Sequence, residues 1–518
     1  MTDRKAPVDS IRVRMYRQGF GDCFLLQFFA GEERVFNMLI DRGIKLGTSR
    51  DDCPIEAVMN DLRQQLTPPG KKKPRLDVLV ATHEHWDHIA FFHPRTSTQT
   101  GSTQKDLFAD FEIDQVWLGW TEDPHDKDAK ALNARLRQGA AALQVAAAHL
   151  HAKKSVSDPE YETRLSGPED EQDPRTAFNL GVTRIAEFYG SEAGHGVKLS
   201  AAKGRRSLKT EEALKNMIEI GKKHGEICYF QPGTLLYSRP VPPGVRIYVL
   251  GPPKGALLKK SNPSAGRAQE TYMSIDNAGF GAFVDGLLGL GDDATTAATP
   301  LAGSPFATRA SLDMAKAEKH PYLRQTYFQN DEKHRRIDDT WLDAAGQFAL
   351  QLDGAVNNTS LVLAIEFIES GKVLLFPGDA QVGSWLSWHD LTWKVRSGTS
   401  TETRTATDLL NNTVLYKVSH HGSHNATIKD KGLELMTHPE LVALIPEQEE
   451  SYSGILHKEL FQRLQQRCRG RVIVSADKNH PAKKMQTQKP EGLSQSEWAS
   501  FKNRLKVTKT YIEYTVSK

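Results

Sequence analysis

Three histidines and one aspartate lie within six positions of the segment VLVATHEHWDHIA, directly after a run of strand-forming residues. They are His83, His85, Asp87 and His88. Imidazole nitrogens and carboxylate oxygens are ligands that zinc prefers, and they also suit manganese and iron. The spacing therefore indicates a metal site. The competing interpretation is a polar loop that happens to be rich in histidine.

Similar residues follow three later strand-like segments. VLLFP leads to Asp379, VLYKVS leads to His420 and His421, and RVIVSA precedes His480. In layered α/β folds, the loops beyond the carboxyl ends of separate strands converge on a ligand. We therefore expect one centre for two divalent metal ions, zinc in the first place with manganese as the alternative, and with Asp379 able to bridge them.

The elements that must position these residues predict an α/β fold. Residues 11–40 alternate like paired strands, Pro54 to Leu66 has helical spacing, and RLDVLVATH is a short buried strand. Two later strands, FEIDQVWLGW and VRIYVLGPP, are expected to join the same sheet system.

Further elements are predicted downstream. KALNARLRQGAAALQVAAAHLHAKK is helical, NNTSLVLAIEFIESGKVLLFPGDA is a hairpin, and residues 277–305 are a long loop. The aromatic cluster from Trp385 to Trp393 favours a buried helix over a base-stacking surface.

The bulk composition is that of a soluble globular protein, with 518 residues of which 39% are hydrophobic and 25% charged. No apolar run approaches the roughly 20 residues that span a bilayer. The first ten residues lack the apolar core of a signal peptide. Four separated cysteines indicate free thiols. We expect a cytoplasmic protein with no membrane partner.

The net charge of +3 does not by itself argue for nucleic acid. Residues 461–518, however, contain 13 Lys and Arg against four Asp and Glu, a local excess of nine positive charges. Such a segment could hold a phosphate backbone, or it could be a solvated surface that aids solubility.

The ordered motifs resemble those of the metallo-β-lactamase fold, and within it the hydrolase domain of the competence protein ComEC and its soluble relatives. The matching segments are RQGFGDCFLL, LIDRG, the HxHxDH run, NNTSLVL with the later GDA, HHGS and KNHP. The family pattern Ile-Gly-Gly after the histidine motif is replaced by Ile89-Ala90-Phe91. Contacts with the substrate are therefore expected to differ there.

The resemblance implies a four-layer αββα metallo-β-lactamase fold with two large, mainly helical or loop insertions. The expected organisation is 11–120 for the N-terminal half of the core, 125–227 for a helical insertion, 228–255 for core strands, 256–350 for a second insertion, 351–485 for the C-terminal half of the core, and 486–518 for a basic C-terminal segment.

The resemblance also assigns the metal ligands. One ion is expected to contact His83, His85 and one of His420 or His421. The other is expected to contact Asp87, His88 and His480, with Asp379 between the two ions. Asp41 and Asp22 are expected to orient the imidazoles, although Asp22 could equally be a turn residue at a strand end.

The resemblance further implies a dinuclear metal-dependent hydrolase, with a phosphodiesterase or nuclease that uses a hydroxide shared by the ions favoured. Asp87 and Asp379 would be catalytic through the metal centre, and His424 could protonate a leaving oxygen. Ser423 could donate to a phosphate, whereas Thr427 suits a plain polar loop. For His93, His389 and His424, taken singly, a role without metal is favoured.

Two other readings stay open. One is a small-molecule hydrolase, such as a lactonase, a phosphorylcholine-type esterase or a cyclic-nucleotide phosphodiesterase. The other is a non-catalytic scaffold that binds a protein partner.

Overall fold

The protein is described by a computed structural model that covers residues 6–45, 48–94, 107–157, 185–190, 208–260, 314–329, 344–397, 400–423, 425–447, 457–475 and 481–518. Over these residues two large β-sheets are combined with helices, so the predicted α/β class is confirmed. The loop expected at 277–305 lies outside the described residues.

The strands are numbered in chain order. They are β1 (Ser10–Tyr16), β2 (Phe24–Ala30), β3 (Glu33–Ile40), β4 (Arg75–Val80), β5 (Glu112–Gly119), β6 (Glu226–Phe230), β7 (Leu235–Leu236), β8 (Val245–Gly251), β9 (Val362–Phe367), β10 (Val373–Phe376), β11 (Thr392–Ser397), β12 (Ser400–Thr405), β13 (Thr413–Lys417), β14 (Val442–Ile445), β15 (Val472–Val474), β16 (Leu505–Val507) and β17 (Tyr511–Ser517).

The α-helices follow the same numbering. They are α1 (Ile55–Leu66), α2 (Trp86–Ile89), α3 (Lys127–Ser157), α4 (Lys209–Lys222), α5 (Met314–Lys319), α6 (Pro321–Thr326), α7 (Ala344–Asn357), α8 (Val382–Trp388), α9 (Ala406–Asn411), α10 (Lys458–Arg467), α11 (Pro481–Thr487) and α12 (Gln495–Arg504).

The first sheet has eight strands in the order β16-β17-β1-β2-β3-β4-β5-β6. The second has seven, in the order β15-β14-β13-β10-β9-β8-β7. Strands β3 and β4 are parallel neighbours joined through α1, as the predicted βαβ opening requires. The two segments expected to form a hairpin pair antiparallel as β9 and β10.

One prediction about the sheets is wrong. Strands β5 and β8 were expected in one sheet system, but β5 pairs with β4 and β6, whereas β8 pairs with β7 and β9 in the other sheet. Both are largely apolar, and hydrophobic periodicity reports that a strand is buried without specifying its neighbours. The terminal strands β16 and β17, which lie in the segment expected only to be basic, were not predicted.

The two sheets pack against each other through their inward-facing side chains. Val78 and Val80 of β4 share one buried core with Leu363 and Ile365 of β9. The alternate residues of each strand point the other way, as the two-residue period of a strand requires. Leu79, for example, packs toward the helices of the first sheet.

Helices cover the outer faces of both sheets. On the first sheet, Leu62 of α1 and Met217 of α4 pack against outward-facing strand residues. On the second sheet, Trp385 and Trp388 of α8 are fully buried beside Leu464 of α10. The predicted buried helix in the aromatic cluster is therefore confirmed. Within the described ranges, no helix combines the length and apolar character needed to cross a lipid bilayer.

Candidate metal centre

The loop after β4 carries the histidine motif, and two other loops hold its backbone in place. The amide of Asp22 donates to the Asp87 carbonyl at 2.9 Å, and the amide of Arg42 donates to the His88 carbonyl at 2.7 Å. A Cβ at Gly43 would lie 2.0 Å from the Asp87 carbonyl carbon, so only glycine allows this approach. The motif is thus fixed by the loops that follow β1 and β3.

Four predicted ligands lie in one compact group. Asp87, His88, Asp379 and His421 are all buried, and each offers a nitrogen or oxygen atom within 4.8 Å of the others. The His421 Nε2 lies 3.1 Å from Asp87 Oδ2, and the His88 Nε2 lies 3.1 Å from Asp379 Oδ2. Two carboxylates and two imidazoles converge here from both sheets.

His83 and His85 lie beside this group. Their imidazoles face each other, with His83 Nε2 3.0 Å from His85 Nδ1. The ring of His83 also lies 4.1 Å from that of His88, measured between centroids. Both side chains are buried, and these contacts place His83 and His85 directly next to the compact group.

Three of these imidazoles have their other nitrogen held by an oxygen atom. The His88 Nδ1 lies 2.8 Å from Asp41 Oδ2, and the His421 Nδ1 lies 2.6 Å from the Pro446 carbonyl. The His83 Nδ1 is near the hydroxyls of Thr82 and Ser360, at 3.1 and 3.3 Å. Such contacts fix the ring orientation and tautomer of a metal-binding histidine. Asp41, for which an orienting role is expected, makes such a contact with His88.

The structure distinguishes His420 from His421, the two histidines of the HHGS loop that the sequence left as alternative ligands. His421 belongs to the compact group, and it contacts Asp87 rather than His83 or His85. His420 is half-buried, with Nε2 3.5 Å from Asn357 Nδ2, while its amide donates to Asp379 at 3.2 Å. Both residues have positive φ angles, 45° and 52°, which is uncommon outside glycine and marks a backbone held in place by its surroundings.

Lys417, at the end of β13, is a component of the centre that the sequence reasoning missed. Its side chain is 1% exposed, and its ammonium lies 2.5 Å from Asp22 and 3.1 Å from Asp379. It also donates to the Gly378 carbonyl at 2.9 Å. Asp22 therefore binds Lys417 directly and approaches His88 Nδ1 only to 3.7 Å. A lysine inside the apolar run VLYKV was the available signal, because a buried lysine needs a partner.

Burial and charge divide the histidines into two groups. Burial lowers the pKa of His85 to about 3 and that of His420 to about 4, and it lowers the pKa of His83 well below the ordinary value. Burial also opposes the charged forms of His88 and His421, but contacts with Asp87 and Asp379 outweigh it and raise the pKa of both.

The carboxylates of the compact group have lowered pKa values. Burial would raise their pKa, but the neighbouring cations outweigh it, so the pKa of Asp87 falls to about 2 and that of Asp379 lies well below its ordinary value. The charge of these carboxylates is thus balanced by protons on imidazoles and by Lys417. Divalent cations could take the place of those protons.

Aromatic side chains cover the centre. Phe20 packs on His421 with 4.1 Å between ring centroids, and Tyr189 lies 5.1 Å from His85. The neighbouring Phe188 carbonyl accepts from the Trp86 amide at 2.7 Å, which ties the short segment 185–190 to the histidine motif. The continuation Ile89-Ala90-Phe91 is buried in the hydrophobic core on the helix-covered face of the first sheet.

The remaining predicted residues lie apart or outside the described residues. The Ser423 hydroxyl donates to Asn425, and Thr427 bonds the Tyr416 hydroxyl at 2.7 Å. His93 and His389 have hydrogen-bond partners away from the centre, Glu212 and the Lys431 carbonyl. His424 and His480 lie outside the described residues.

The donor set fits a divalent metal ion. Nitrogen and carboxylate oxygen atoms match the preferences of zinc and manganese. Asp87 Oδ1 is buried and has no hydrogen-bond partner among the described residues, as expected of an oxygen that awaits a cation. The prediction of a metal-binding centre is confirmed to this extent, as a buried His/Asp group able to hold an ion.

A scan against protein-family models found no match to this chain, and a search of curated proteins found no similar sequence.

Proposed function

We propose that the chain is a hydrolase dependent on two divalent metal ions, with the metallo-β-lactamase fold, and that it cleaves a phosphodiester. The observation that carries the proposal is the group of Asp87, His88, Asp379 and His421, with His83 and His85 directly beside it. The two packed sheets with helices on their outer faces support the four-layer form of the fold.

The residues that would hold the ions follow from their neighbours. His83 and His85 would serve one ion, while Asp87, His88 and His421 would serve the other. Asp379 would lie between them. When bound, such ions supply Lewis acidity toward a phosphoryl oxygen and make water a stronger nucleophile at neutral pH.

The protein's own side chains have separate tasks around that centre. Asp41 and the Pro446 carbonyl orient the imidazoles of His88 and His421. Lys417 occupies one oxygen of Asp379 and leaves the other directed at His88. Phe20 and the segment 185–190 limit the access of bulk water, which strengthens electrostatic interactions in the centre.

The excess of positive charge in residues 461–518 gives less support to a nucleic-acid substrate than its size suggests. Arg463 and Arg467 both bind Glu434, and Arg469 forms a two-point contact with Glu497. Arginines already paired within the fold are poor candidates for a phosphate-binding surface. Cleavage of nucleic acid remains the favoured form of the proposal because of the motif resemblance.

A small-molecule hydrolase is the second candidate, and the aromatic side chains that cover the centre favour it. His85 is fully buried beneath Phe188 and Tyr189, so a bulky duplex could reach it only if this segment moved. A lactone, a phosphorylcholine-type ester or a cyclic nucleotide would fit a covered centre more readily.

The test is a substrate panel on protein that has been stripped of metal and reloaded with zinc or manganese. We expect hydrolysis of bis-p-nitrophenyl phosphate, and of DNA or RNA if the favoured form holds. Asp87→Ala or His85→Ala should abolish activity, whereas His389→Ala should keep it, since His389 bonds the Lys431 carbonyl away from the centre.

The outcomes separate the alternatives. Turnover of small esters without salt-dependent binding to oligonucleotides favours the second candidate. Protein that neither contains nor takes up transition metal would refute both hydrolase proposals and favour a scaffold.

A further inference from the structure

His85 differs from the other histidines of the centre in how its ring is held. His83, His88 and His421 each have one ring nitrogen within 3.3 Å of an oxygen atom. The His85 Nδ1 faces His83, but its buried Nε2 has no hydrogen-bond partner among the described residues. A buried polar nitrogen without a partner costs free energy, so this atom marks an incomplete contact.

A carboxylate on α7 lies opposite that nitrogen. Asp353 Oδ1 is 3.9 Å from His85 Nε2, and it too is buried without a hydrogen-bond partner in the described part of the chain. Its other oxygen accepts from Asn357 Nδ2 at 3.0 Å. Asn357 lies one helical turn further along α7 and fixes the carboxylate on the side of the helix that faces the centre.

The side chain of Asp353 is placed as an interior group. It is 13% exposed, and the Asn357 that holds it is fully buried and reaches His420 at 3.5 Å. A carboxylate taken out of water in this way is unfavourable unless it meets a cation or a donor. Two buried donors without a partner among the described residues lie near it, the Tyr189 hydroxyl and the His85 Nε2, and the latter is 3.9 Å away.

We propose that Asp353 is the positioning residue for His85, accepting the Nε2–H of that imidazole when Nδ1 binds a metal ion. The proposal rests on the proposed function, since it needs the metal centre. Closing the contact requires the two atoms to approach by about 1 Å, to an ordinary hydrogen-bond distance. With this contact His83, His85, His88 and His421 would each have an oxygen partner.

The chemical reason is the effect of such a partner on the ligand. A histidine whose second ring N–H donates to a carboxylate is held in one tautomer and orientation and is a more basic ligand. Loss of such a partner usually weakens metal binding about 10- to 100-fold. The motifs could not indicate Asp353, because it lies outside every segment that resembles the family.

The test is a cobalt titration of the full chain after removal of metal with a chelator. Affinity and stoichiometry are measured by competition with a chromophoric chelator, and the visible absorption of bound Co²⁺ reports the ligand environment. The variants are Asp353→Ala, Asp353→Asn and Gln351→Ala. Gln351 is the matched control, since two positions along a helix place it about 200° away from Asp353.

We expect Asp353→Ala to weaken one of the two cobalt sites about 10- to 100-fold and to change its absorption spectrum. Asp353→Asn keeps an acceptor oxygen and should recover part of the affinity. Gln351→Ala should match the unmodified protein. Circular dichroism of the metal-free variants verifies that each one folds.

Two results would overturn the inference while leaving the proposed function intact. One is cobalt binding by Asp353→Ala with unchanged affinity and spectrum. The other is an equal loss in Gln351→Ala, which would indicate general damage to α7. If the unmodified chain takes up no cobalt, the proposed function fails and this inference fails with it.

Discussion

Lys417 places a positive charge among the carboxylates of the candidate centre. Its ammonium is buried against Asp22 and Asp379. Burial would lower the pKa of Lys417, but the two carboxylates raise it, so the side chain stays charged. In the metal-free protein this charge offsets part of the negative charge of the two buried carboxylates.

Lys417→Met should destabilise the metal-free protein by about 3–5 kcal/mol, because it leaves two buried carboxylates without their cation. Denaturant unfolding of chelator-treated protein measures the free energy of unfolding. Added zinc should reduce the difference in this free energy between Lys417→Met and the unmodified protein. Lys372→Met is the control. Lys372 pairs with the more exposed Glu440, and its loss should cost about 1 kcal/mol or less. Equal losses in the two variants would show that Lys417 has no special role.

The centre could be predicted at the residue scale where the side chains follow strands. His83, Asp87, Asp379 and the pair His420 and His421 were predicted from their place after strand-forming runs. The structure brings His421 into one group with Asp87 and Asp379, and it places His83 beside that group. Lys417 and Asp353 were not identified. Each acts through contacts with distant segments, and a single lysine or aspartate leaves no spacing pattern in the sequence.

At the scale of elements, the loops after β1 and β3 act as a frame for the loop after β4. The amides of Asp22 and Arg42 hold two successive carbonyls of the histidine motif. Gly43 lies against the same backbone, with no room for a side chain. The geometry of the ligands is therefore set by backbone contacts between loops as much as by the ligands themselves.

Gly43→Ala should displace the backbone of Asp87 and His88, weaken metal binding more than about 10-fold and cost about 3 kcal/mol of stability, as overpacking a tight site does. Metal titration and denaturant unfolding measure the two effects. Gly31→Ala serves as the comparison. Gly31 has φ 62° and no neighbour within 4 Å, so it should show only the backbone strain of about 1 kcal/mol. Metal affinity that stays unchanged in Gly43→Ala would contradict the role of these loops as a frame.

Strands were easier to predict than their arrangement. The predicted strand segments at β4, β5, β8, β9, β10 and β13 all form strands, since each is a short run of β-branched and apolar residues. Their division into two sheets depends on contacts between residues far apart in sequence, which periodicity does not report. The hairpin of β11 and β12 was also missed, because its residues, from Thr392 to Thr405, are mostly polar.

At the scale of the whole molecule, the balance of protons in the centre should set the pH dependence of stability. Burial lowers the pKa of His83, His85 and His420 and so favours their neutral forms in the folded protein. Their contribution to the free energy of unfolding is therefore present above pH 6.5, the ordinary pKa of histidine, and is lost as the pH falls below it. His88 and His421 have raised pKa values, so the stability they contribute is present below pH 6.5 and lost as the pH rises through those values.

The metal-free protein should therefore lose stability as the pH rises above 6.5, the ordinary pKa of histidine, because His88 and His421 give up their protons there. Zinc should reduce this loss, because an ion replaces those protons and its binding releases them. Denaturant unfolding from about pH 4 to about pH 9, with chelator and with zinc, measures both profiles. A metal-free profile that stays flat on the alkaline side would contradict this charge balance.

The joining of Asp87 to His421, across 334 positions of the chain, also has a consequence for the order of events during folding. The compact ligand group cannot exist until each sheet has formed and the two have docked. A partly folded chain offers a metal ion little beyond the histidines of one loop. Tight metal binding would therefore indicate that folding is complete, and the metal would enter this protein in the cell only after both sheets have formed and docked.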